Sequence, residues 1–168
     1  TSEAGDRRRR RIRIDVLHQY GSGGGTVGLP EFGAFVRRAR SEINRAVHIR
    51  EIAKIALEEV GKFTVDYCVN GREFVDKAPS LQPDLLLLDV MMPEMDGPTV
   101  LKTLRKNNEL NNVPIALMTA RVQATEVLEY LHMGAAGVIL KPFDPMVLPT
   151  QVIEIWEKFH ANEKSKFG

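Results

Sequence analysis

The chain has 168 residues, of which 43% are hydrophobic and 27% are charged, and its formal net charge is +1. That length allows one domain of ordinary size with an appendage, and the balanced charge gives no general argument for nucleic-acid binding. Cys68 is the only cysteine, which excludes an intrachain disulfide and favours a reducing compartment. No apolar run reaches the ~18 residues of a membrane span, and the basic amino end lacks the apolar core of a secretory signal. We therefore expect a cytoplasmic protein without membrane segments.

Residues 1–29 differ in composition from the rest of the chain. Arg7–Arg11 form an unbroken basic run, for which we favour a solvated tail over a phosphate-binding arm because no aromatic residue is interleaved with it. Residues 12–16 alternate like a short strand, and Gly21–Gly25 is typical of a flexible linker. We interpret 1–29 as an atypical basic, glycine-rich segment, with disorder as one reading of its composition.

The elements that follow alternate between helix and strand. Apolar residues at helical spacing predict a helical extension over 30–47 and a helix over 48–60. Further along the chain we predict strands at 63–69, 85–89, 113–118 and 136–140, and helices at 72–77, 98–106, 124–133 and 145–159.

Short connections between these strands and helices specify a doubly wound parallel sheet, an α/β fold with helices on both faces. Leu85–Leu88 are four consecutive leucines, so both faces of that strand require burial, as in the centre of such a sheet. We expect the helix after 72 to end before Pro79. The predicted domain covers 48–160, and a tail follows at 161–168.

Three polar residues each follow directly after a predicted buried strand: Asp89, Thr119 and Lys141. Taken singly, the first two could be helix caps and the third a solvated charge. In a parallel sheet, however, all three lie at the carboxyl edge, where α/β sheets bind their ligands. A carboxylate, a hydroxyl and an ammonium group suit acceptance of a phosphoryl group on the carboxylate.

The stretch His48–His160 resembles the receiver domain of bacterial two-component response regulators. The resemblance depends on three motifs in the order and spacing of that family, namely Leu87–Gly97 (LLDVMMPEMDG), Met118–Ala120 (MTA) and Lys141–Phe143 (KPF). It implies a five-stranded, flavodoxin-like (CheY-like) parallel sheet. Here an atypical extension precedes that sheet, and the position of its first strand is left open.

The resemblance also implies roles for individual residues. Asp89 would be the phosphoacceptor, Thr119 would bond the phosphoryl group and Lys141 would pair with it, in a cis peptide with Pro142. The implied cofactor is Mg²⁺, bound by Asp89 and by the backbone carbonyl of Met91. Receiver domains assist their own phosphoryl transfer and dephosphorylation, but they are signalling modules rather than enzymes of metabolism.

Two positions depart from the family pattern. An acidic, metal-binding pair is expected near Asn44 and Arg45, and neither residue is a carboxylate. Asp15 is a displaced substitute if 11–17 forms the first strand. Otherwise Asp89 is the only charged ligand and Mg²⁺ binding is weak or absent. Val138 replaces the aromatic residue that the family commonly has three positions before the lysine, which predicts a muted conformational switch.

Two functions remain open on this sequence. The first is a stand-alone receiver that takes its phosphoryl group from a histidine kinase or a histidine phosphotransfer protein. Such a receiver would signal to a downstream protein through the face formed by 122–160. The second is a degenerate pseudo-receiver that acts as a phosphorylation-independent docking module. The first is the main interpretation, and the absent acidic pair is the main support for the second.

The composition of residues 1–47 also suggests an altered or non-native start. Without a first strand, the sheet would expose an edge in its middle, because the family places that strand between two others. An exposed edge invites pairing with another chain. We therefore expect a dimer or a strand-exchanged oligomer in that case.

Overall fold

A computed structural model describes residues 52–68, 70–92, 94–120 and 123–166, together with 13–17, where only the backbone is described, as it also is at 166. The strands are β1 (Arg13–Leu17), β2 (Thr64–Cys68), β3 (Leu85–Asp89), β4 (Ile115–Thr119) and β5 (Gly137–Leu140). The helices are α1 (52–60), α2 (Gly71–Leu81), α3 (Gly97–Arg105), α4 (Ala124–His132) and α5 (Leu148–Lys166). The second half of α1, Ala56–Val60, is a π-helix, and a 3-10 turn at Asn108–Leu110 precedes β4.

All strand pairs in the sheet are parallel, and the strand order is β2-β1-β3-β4-β5. The predicted doubly wound α/β fold is therefore confirmed. Residues 13–17 form the first strand, which confirms the alternative that placed it within 11–17. Because β1 lies between β2 and β3, the open edge expected in the middle of the sheet is not found in the part of the chain that the structure describes.

The leucine strand β3 is buried along its whole length. Successive side chains of a strand point to opposite faces, and here Leu86 and Leu88 join a core cluster with α2 and α3. Leu85 and Leu87 join a second cluster with α1 and α5. Two apolar layers thus cover the two faces of this strand, as its lack of alternation predicts.

Side-chain caps begin the two helices that follow β2 and β3. The side chain of Asn70 accepts a hydrogen bond from the backbone N–H of Glu73 at 2.8 Å and begins α2. Asp96 accepts one from the N–H of Thr99 at 2.8 Å and begins α3. Such caps satisfy amides that have no partner inside the helix. They keep the connections short at the carboxyl edge of the sheet.

Two predicted helix ends are wrong. Pro79 lies inside α2, which continues to Leu81 and ends at Gln82 in the left-handed region, with φ 49°. One lost amide near the end of a helix is outweighed here by burial of Phe74 and Ala78 against the sheet. At the other end of the domain, α5 extends to Lys166, so 161–166 belong to this helix rather than to a tail. No proline or glycine interrupts it after 159.

The helical extension predicted over 30–47, the glycine-rich stretch and Arg7–Arg11 lie outside the described residues. Among the helices that are described, none combines the length and the apolar character that crossing a membrane requires.

Candidate functional site

Three neighbouring strands bring the predicted polar residues to one edge. Strand β3 ends at Asp89, β4 ends at Thr119, and β5 ends immediately before Lys141. The register pairs Asp89 with Met118 and Thr119 with Leu140. The expected common position at the carboxyl edge is thus what the structure shows, with Thr119 on the strand between the other two.

An ion pair links the ends of β3 and β5 across β4. Lys141 Nζ donates hydrogen bonds to Asp89 Oδ1 at 2.9 Å and to Oδ2 at 2.8 Å. The two side chains are only 11% and 3% exposed. Since burying an isolated carboxylate is costly, the ammonium group of Lys141 is what makes a charged Asp89 tolerable here.

The backbone fixes both partners of this ion pair. The N–H of Met91 donates to Asp89 Oδ1 at 3.1 Å, so Asp89 is held by the loop that follows it. The N–H of Lys141 donates to the carbonyl of Thr119 at 2.8 Å, and the Lys141–Pro142 peptide is cis, as predicted. The side chain of Lys141 therefore starts from an anchored position and extends across β4 to reach Asp89.

Gly97 is a residue of this site whose importance the sequence analysis missed. Its N–H donates to the carbonyl of Val90 at 3.2 Å, and a Cβ at this position would lie 2.5 Å from the carbonyl oxygen of Asp89. A contact that short cannot be accommodated without moving the backbone. The start of α3 therefore lies directly against the end of β3. The Asp96-Gly97 pair was visible in the sequence, but only as a turn signal.

Val138 and Met91 also have defined positions. Val138 is the second residue of β5 and is half-buried, next to Leu117 in the register. The side chain of Met91 is 66% exposed beside Asp89, and it is the amide N–H of Met91 that contacts the carboxylate.

The described residues of the site do not by themselves make up a binding shell for a divalent cation. Magnesium is bound through carboxylate oxygens in a near-octahedral shell. Within the described ranges, no group of three His, Cys, Asp or Glu side chains is arranged to hold a metal, and both oxygens of Asp89 accept hydrogen bonds from Lys141. Asn44 and Arg45, where the acidic pair was expected, lie outside the described residues.

The register also separates Asp15 from Asp89. Asp15 is paired with Leu86, and Leu17 is paired with Leu88, so Asp15 lies three residues before the level of Asp89. At about 3.3 Å per residue this is ~10 Å along the strand. A residue in the middle of β1 is not in the position of the acids that end a first strand.

Fold and site together define a doubly wound α/β domain with a buried carboxylate–ammonium pair at the carboxyl edge of its sheet. Residues 44–153 match the family described as the response regulator receiver domain. The chain belongs to this family of receiver domains, which act in two-component signalling. Members typically bind Mg²⁺ and interact with histidine kinases or phosphotransfer proteins and with downstream effectors.

Several characterised relatives are similar over the same region. The chain is 32% identical to the chemotaxis protein CheY of Thermotoga maritima over 116 residues, which covers 69% of this chain and 92% of that protein. It is 35% identical over 96 residues to the DNA-binding dual master transcriptional regulator RpaA of Synechocystis sp., covering 57% of this chain and 39% of RpaA. Against the transcriptional regulatory protein CseB of Streptomyces coelicolor it is 33% identical, covering 67% of this chain and 47% of CseB. The chain thus spans less than half the length of these two regulators.

A solved structure confirms the fold. The chemotaxis protein CheY4 of Vibrio cholerae superposes with a TM-score of 0.66 at 21% identity, covering 86% of this chain and 98% of CheY4. At this level of identity the likeness establishes the CheY-like arrangement of strands and helices.

Proposed function

We propose that this receiver domain accepts a phosphoryl group on Asp89 from a phosphorylated histidine of a kinase or a phosphotransfer protein. The observation that supports this proposal is the contact of Lys141 Nζ with both carboxylate oxygens of Asp89, at 2.9 and 2.8 Å, beside a buried Thr119. This arrangement places a positive charge and a hydroxyl-bearing residue next to a carboxylate, as a phosphoryl acceptor requires.

The transfer uses the residues of the site as follows. One oxygen of Asp89 attacks the phosphorus, the bond from phosphorus to the imidazole nitrogen breaks, and the imidazole takes up a proton as it leaves. Lys141 keeps its hydrogen bond to the carboxylate oxygen that does not attack, and it neutralises charge on the phosphoryl oxygens. Thr119, one residue beyond the level of Asp89 on β4, donates its hydroxyl to a phosphoryl oxygen. Water later hydrolyses the acyl phosphate and restores the carboxylate.

We infer a weak affinity for magnesium. Asp89 would be the only charged ligand, with the backbone carbonyl of Met91 as a second donor, and the ammonium of Lys141 competes for the same carboxylate oxygens. A hard cation is poorly held by one carboxylate. Neutralisation of the negative charge on the phosphoryl group therefore depends mainly on Lys141.

Output through the face formed by 122–160 is supported by its exposed apolar side chains. Six large hydrophobic residues are exposed in the described part of the chain, and five of them lie on this face: Leu128, Leu131, Leu140, Met146 and Val147. Apolar side chains clustered on a surface favour protein contacts. Burial raises the pKa of Tyr130 on α4, and the carboxylates of Glu126 and Glu129 raise it further. With Glu129 exposed and Glu126 half-buried on α4, the face combines apolar and acidic side chains, which suits a partner with basic residues around an apolar centre.

A phosphorylation-independent docking module is the second candidate. It is favoured by the hydrogen bonds at this edge, where both oxygens of Asp89 already accept from Lys141 and Oδ1 also accepts from the N–H of Met91. In that case the ion pair is a structural link between β3 and β5, and the 122–160 face binds its partner constitutively.

Incubation with a ³²P-labelled small phosphodonor, such as phosphoramidate, separates the two candidates. We expect wild-type chain to gain a label that hydroxylamine releases, as an acyl phosphate does. Asp89→Asn should remove it. Asp96→Asn is the matched control, because asparagine serves equally well as a helix cap and Asp96 is an exposed aspartate of the same loop.

The magnesium dependence is measured in the same experiment. If the affinity is weak, the labelling rate rises with magnesium across the millimolar range without saturating. Label in the Asp89→Asn variant at the wild-type level would contradict the assigned acceptor. Absence of label from folded wild-type chain at all magnesium concentrations would leave the docking module as the function of this domain.

A further inference from the structure

The first strand is joined to the molecule differently from every other described strand. Strands β2, β3, β4 and β5 are followed by their helices after connections of two to seven residues. By contrast, 34 residues, 18–51, separate β1 from the next described residue. A connection of that length reaches ~110 Å when extended. The short connections tie four strands to their own copy of the chain, whereas 34 residues are enough for β1 to reach a second copy.

The slot that β1 occupies is bordered on both sides by the backbone of the sheet. Residues 13–17 pair with 64–68 of β2, and 14–17 pair with 85–88 of β3. If β1 leaves, two parallel strand edges in the centre of the sheet lose their hydrogen-bond partners, which strongly favours refilling the slot. Backbone pairing makes no distinction between this strand and the same strand of a second copy.

The sequence of β1 is unusual for a central position. Central parallel strands are apolar on both faces, as β3 and β4 are. Arg13 and Asp15 place two charged residues in a strand of five. Moreover, β1 lies outside 44–153, the stretch that matches the family. We expect a strand with two charged residues of five to be held less firmly than the apolar strands beside it, so that its release costs less.

We propose that β1 is an exchangeable strand, and that the slot between β2 and β3 binds residues 13–17 of a second copy of this chain as well as its own. Because residues 13–17 are covalently linked to their own slot, they compete with those of a second copy at an effective concentration on the order of 1 mM. The chain is therefore monomeric when dilute, and dimers joined by exchanged strands accumulate as its concentration approaches that value. This property is independent of any phosphoryl transfer at Asp89.

The native Cys68 provides a direct test. Leu17 is its register partner on β1, and neighbouring strands ~4.8 Å apart satisfy the Cα separation of a disulfide. Full-length Leu17→Cys alone should form an intrachain disulfide when oxidised. The exchange experiment mixes wild-type chain with Leu17→Cys/Cys68→Ala, in which position 17 can reach a cysteine only on the other copy. The product is a disulfide-linked heterodimer, identified by intact mass and by peptide mapping.

We expect the heterodimer yield to rise more than about tenfold between ~10 µM and ~1 mM total chain. The matched control is Ser165→Cys/Cys68→Ala mixed with wild type, because Ser165 is exposed on α5 and reports random collision. Circular dichroism verifies that each variant is folded, and sedimentation of unmodified wild type over the same range should show a growing dimer.

Two outcomes would overturn the proposal. The first is a heterodimer yield at the control level at ~1 mM together with an efficient intrachain disulfide in Leu17→Cys, which would show that β1 stays in its own copy. The second is absence of the intrachain disulfide from folded Leu17→Cys, which would show that β1 does not lie beside β2. A wild-type chain that sediments as a monomer throughout counts against exchange equally.

Discussion

The two sides of the sheet differ in what holds them together. On one side, β3 and β4 are buried at every residue, and the helices that follow them begin after at most seven residues. On the other side, β1 contains Arg13 and Asp15 and is separated by 34 residues from α1. Hydrogen-bond ladders place both kinds of strand equally well. Burial and a short connection decide whether a strand remains in one copy of the chain.

Two aspartates on these strands differ in the same way in their relation to the site. Asp89 and Asp15 lie on neighbouring strands, but only Asp89 ends its strand at the carboxyl edge. Asp89 is therefore within reach of Lys141, whereas Asp15 is level with Leu86 in the middle of the sheet. Position along the strand, rather than residue type, determines which carboxylate belongs to the site.

Truncation of one leucine on each strand should give the largest difference between the two sides. Leu88 is fully buried in the core cluster with α2 and α3, so Leu88→Ala should lower the free energy of unfolding by about 2–5 kcal/mol. Leu17 is its register partner on β1. Leu17→Ala should lower it by less than Leu88→Ala does, because loss of a contact cannot cost more than the free energy that docks β1. Urea denaturation of both variants measures the difference.

Equal losses for the two variants would break the comparison, since they would show that β1 is held as firmly as β3. Leu128→Ala is a suitable reference for both, because this leucine is exposed on α4. Such a substitution normally changes stability by less than ~0.5 kcal/mol.

Removal of the ammonium group tests the link between β3 and β5. Lys141→Met leaves a buried Asp89 without its counter-ion. We expect the free energy of unfolding to fall by about 2–3 kcal/mol at neutral pH. This is less than for a fully buried pair, because the side chain of Lys141 is 11% exposed. Combination with Asp89→Asn should recover most of this loss, since the uncompensated charge is then absent. Thermal and urea unfolding of the two single variants and the double variant complete the cycle. Additive losses would show that the pair does not couple the two strands.

Much of the β3 to α5 side could be predicted because its sequence carries local signals for each element. The four leucines of β3 have no alternation, and only a strand covered on both faces buries them all. Asp89, Thr119 and Lys141 follow three such strands, so their common edge followed from the parallel fold. Their spacing within known motifs then pointed to the family.

The remainder depended on contacts that no local pattern reports. The end of α2 beyond Pro79 is set by burial of Phe74 and Ala78, and the role of Gly97 depends on the carbonyl of Asp89, eight positions away in the chain. The register of β1, which separates Asp15 from the site, is defined by β2 and β3 rather than by residues 13–17 themselves. Such features emerge only when the strands are assembled.

The smallest expected effect concerns the β1 side, in the helix that follows the long connection. Burial raises the pKa of Glu58 on α1 above its ordinary value of 4.5, the charge of Lys54 opposes this rise and that of Glu59 adds to it. An acid whose pKa is raised on folding binds its proton more tightly in the folded chain. The associated stability is fully present below the unfolded pKa and is lost as pH rises through the higher folded pKa.

Glu58→Gln should therefore match wild type in acid and exceed it at neutral pH, by less than ~0.5 kcal/mol because the residue is largely solvated. In a Lys54→Met background the gain should be larger, since the favourable charge is gone. Urea unfolding from pH 4 to 8 measures both differences. The gain exists only if α1 stays packed against α5 as the shared core of Ala56, Leu57 and Val152 indicates. A difference in unfolding free energy that does not depend on pH would therefore mean that α1, like β1, is held loosely. The firmly held part of the chain would then begin at β2 rather than at α1.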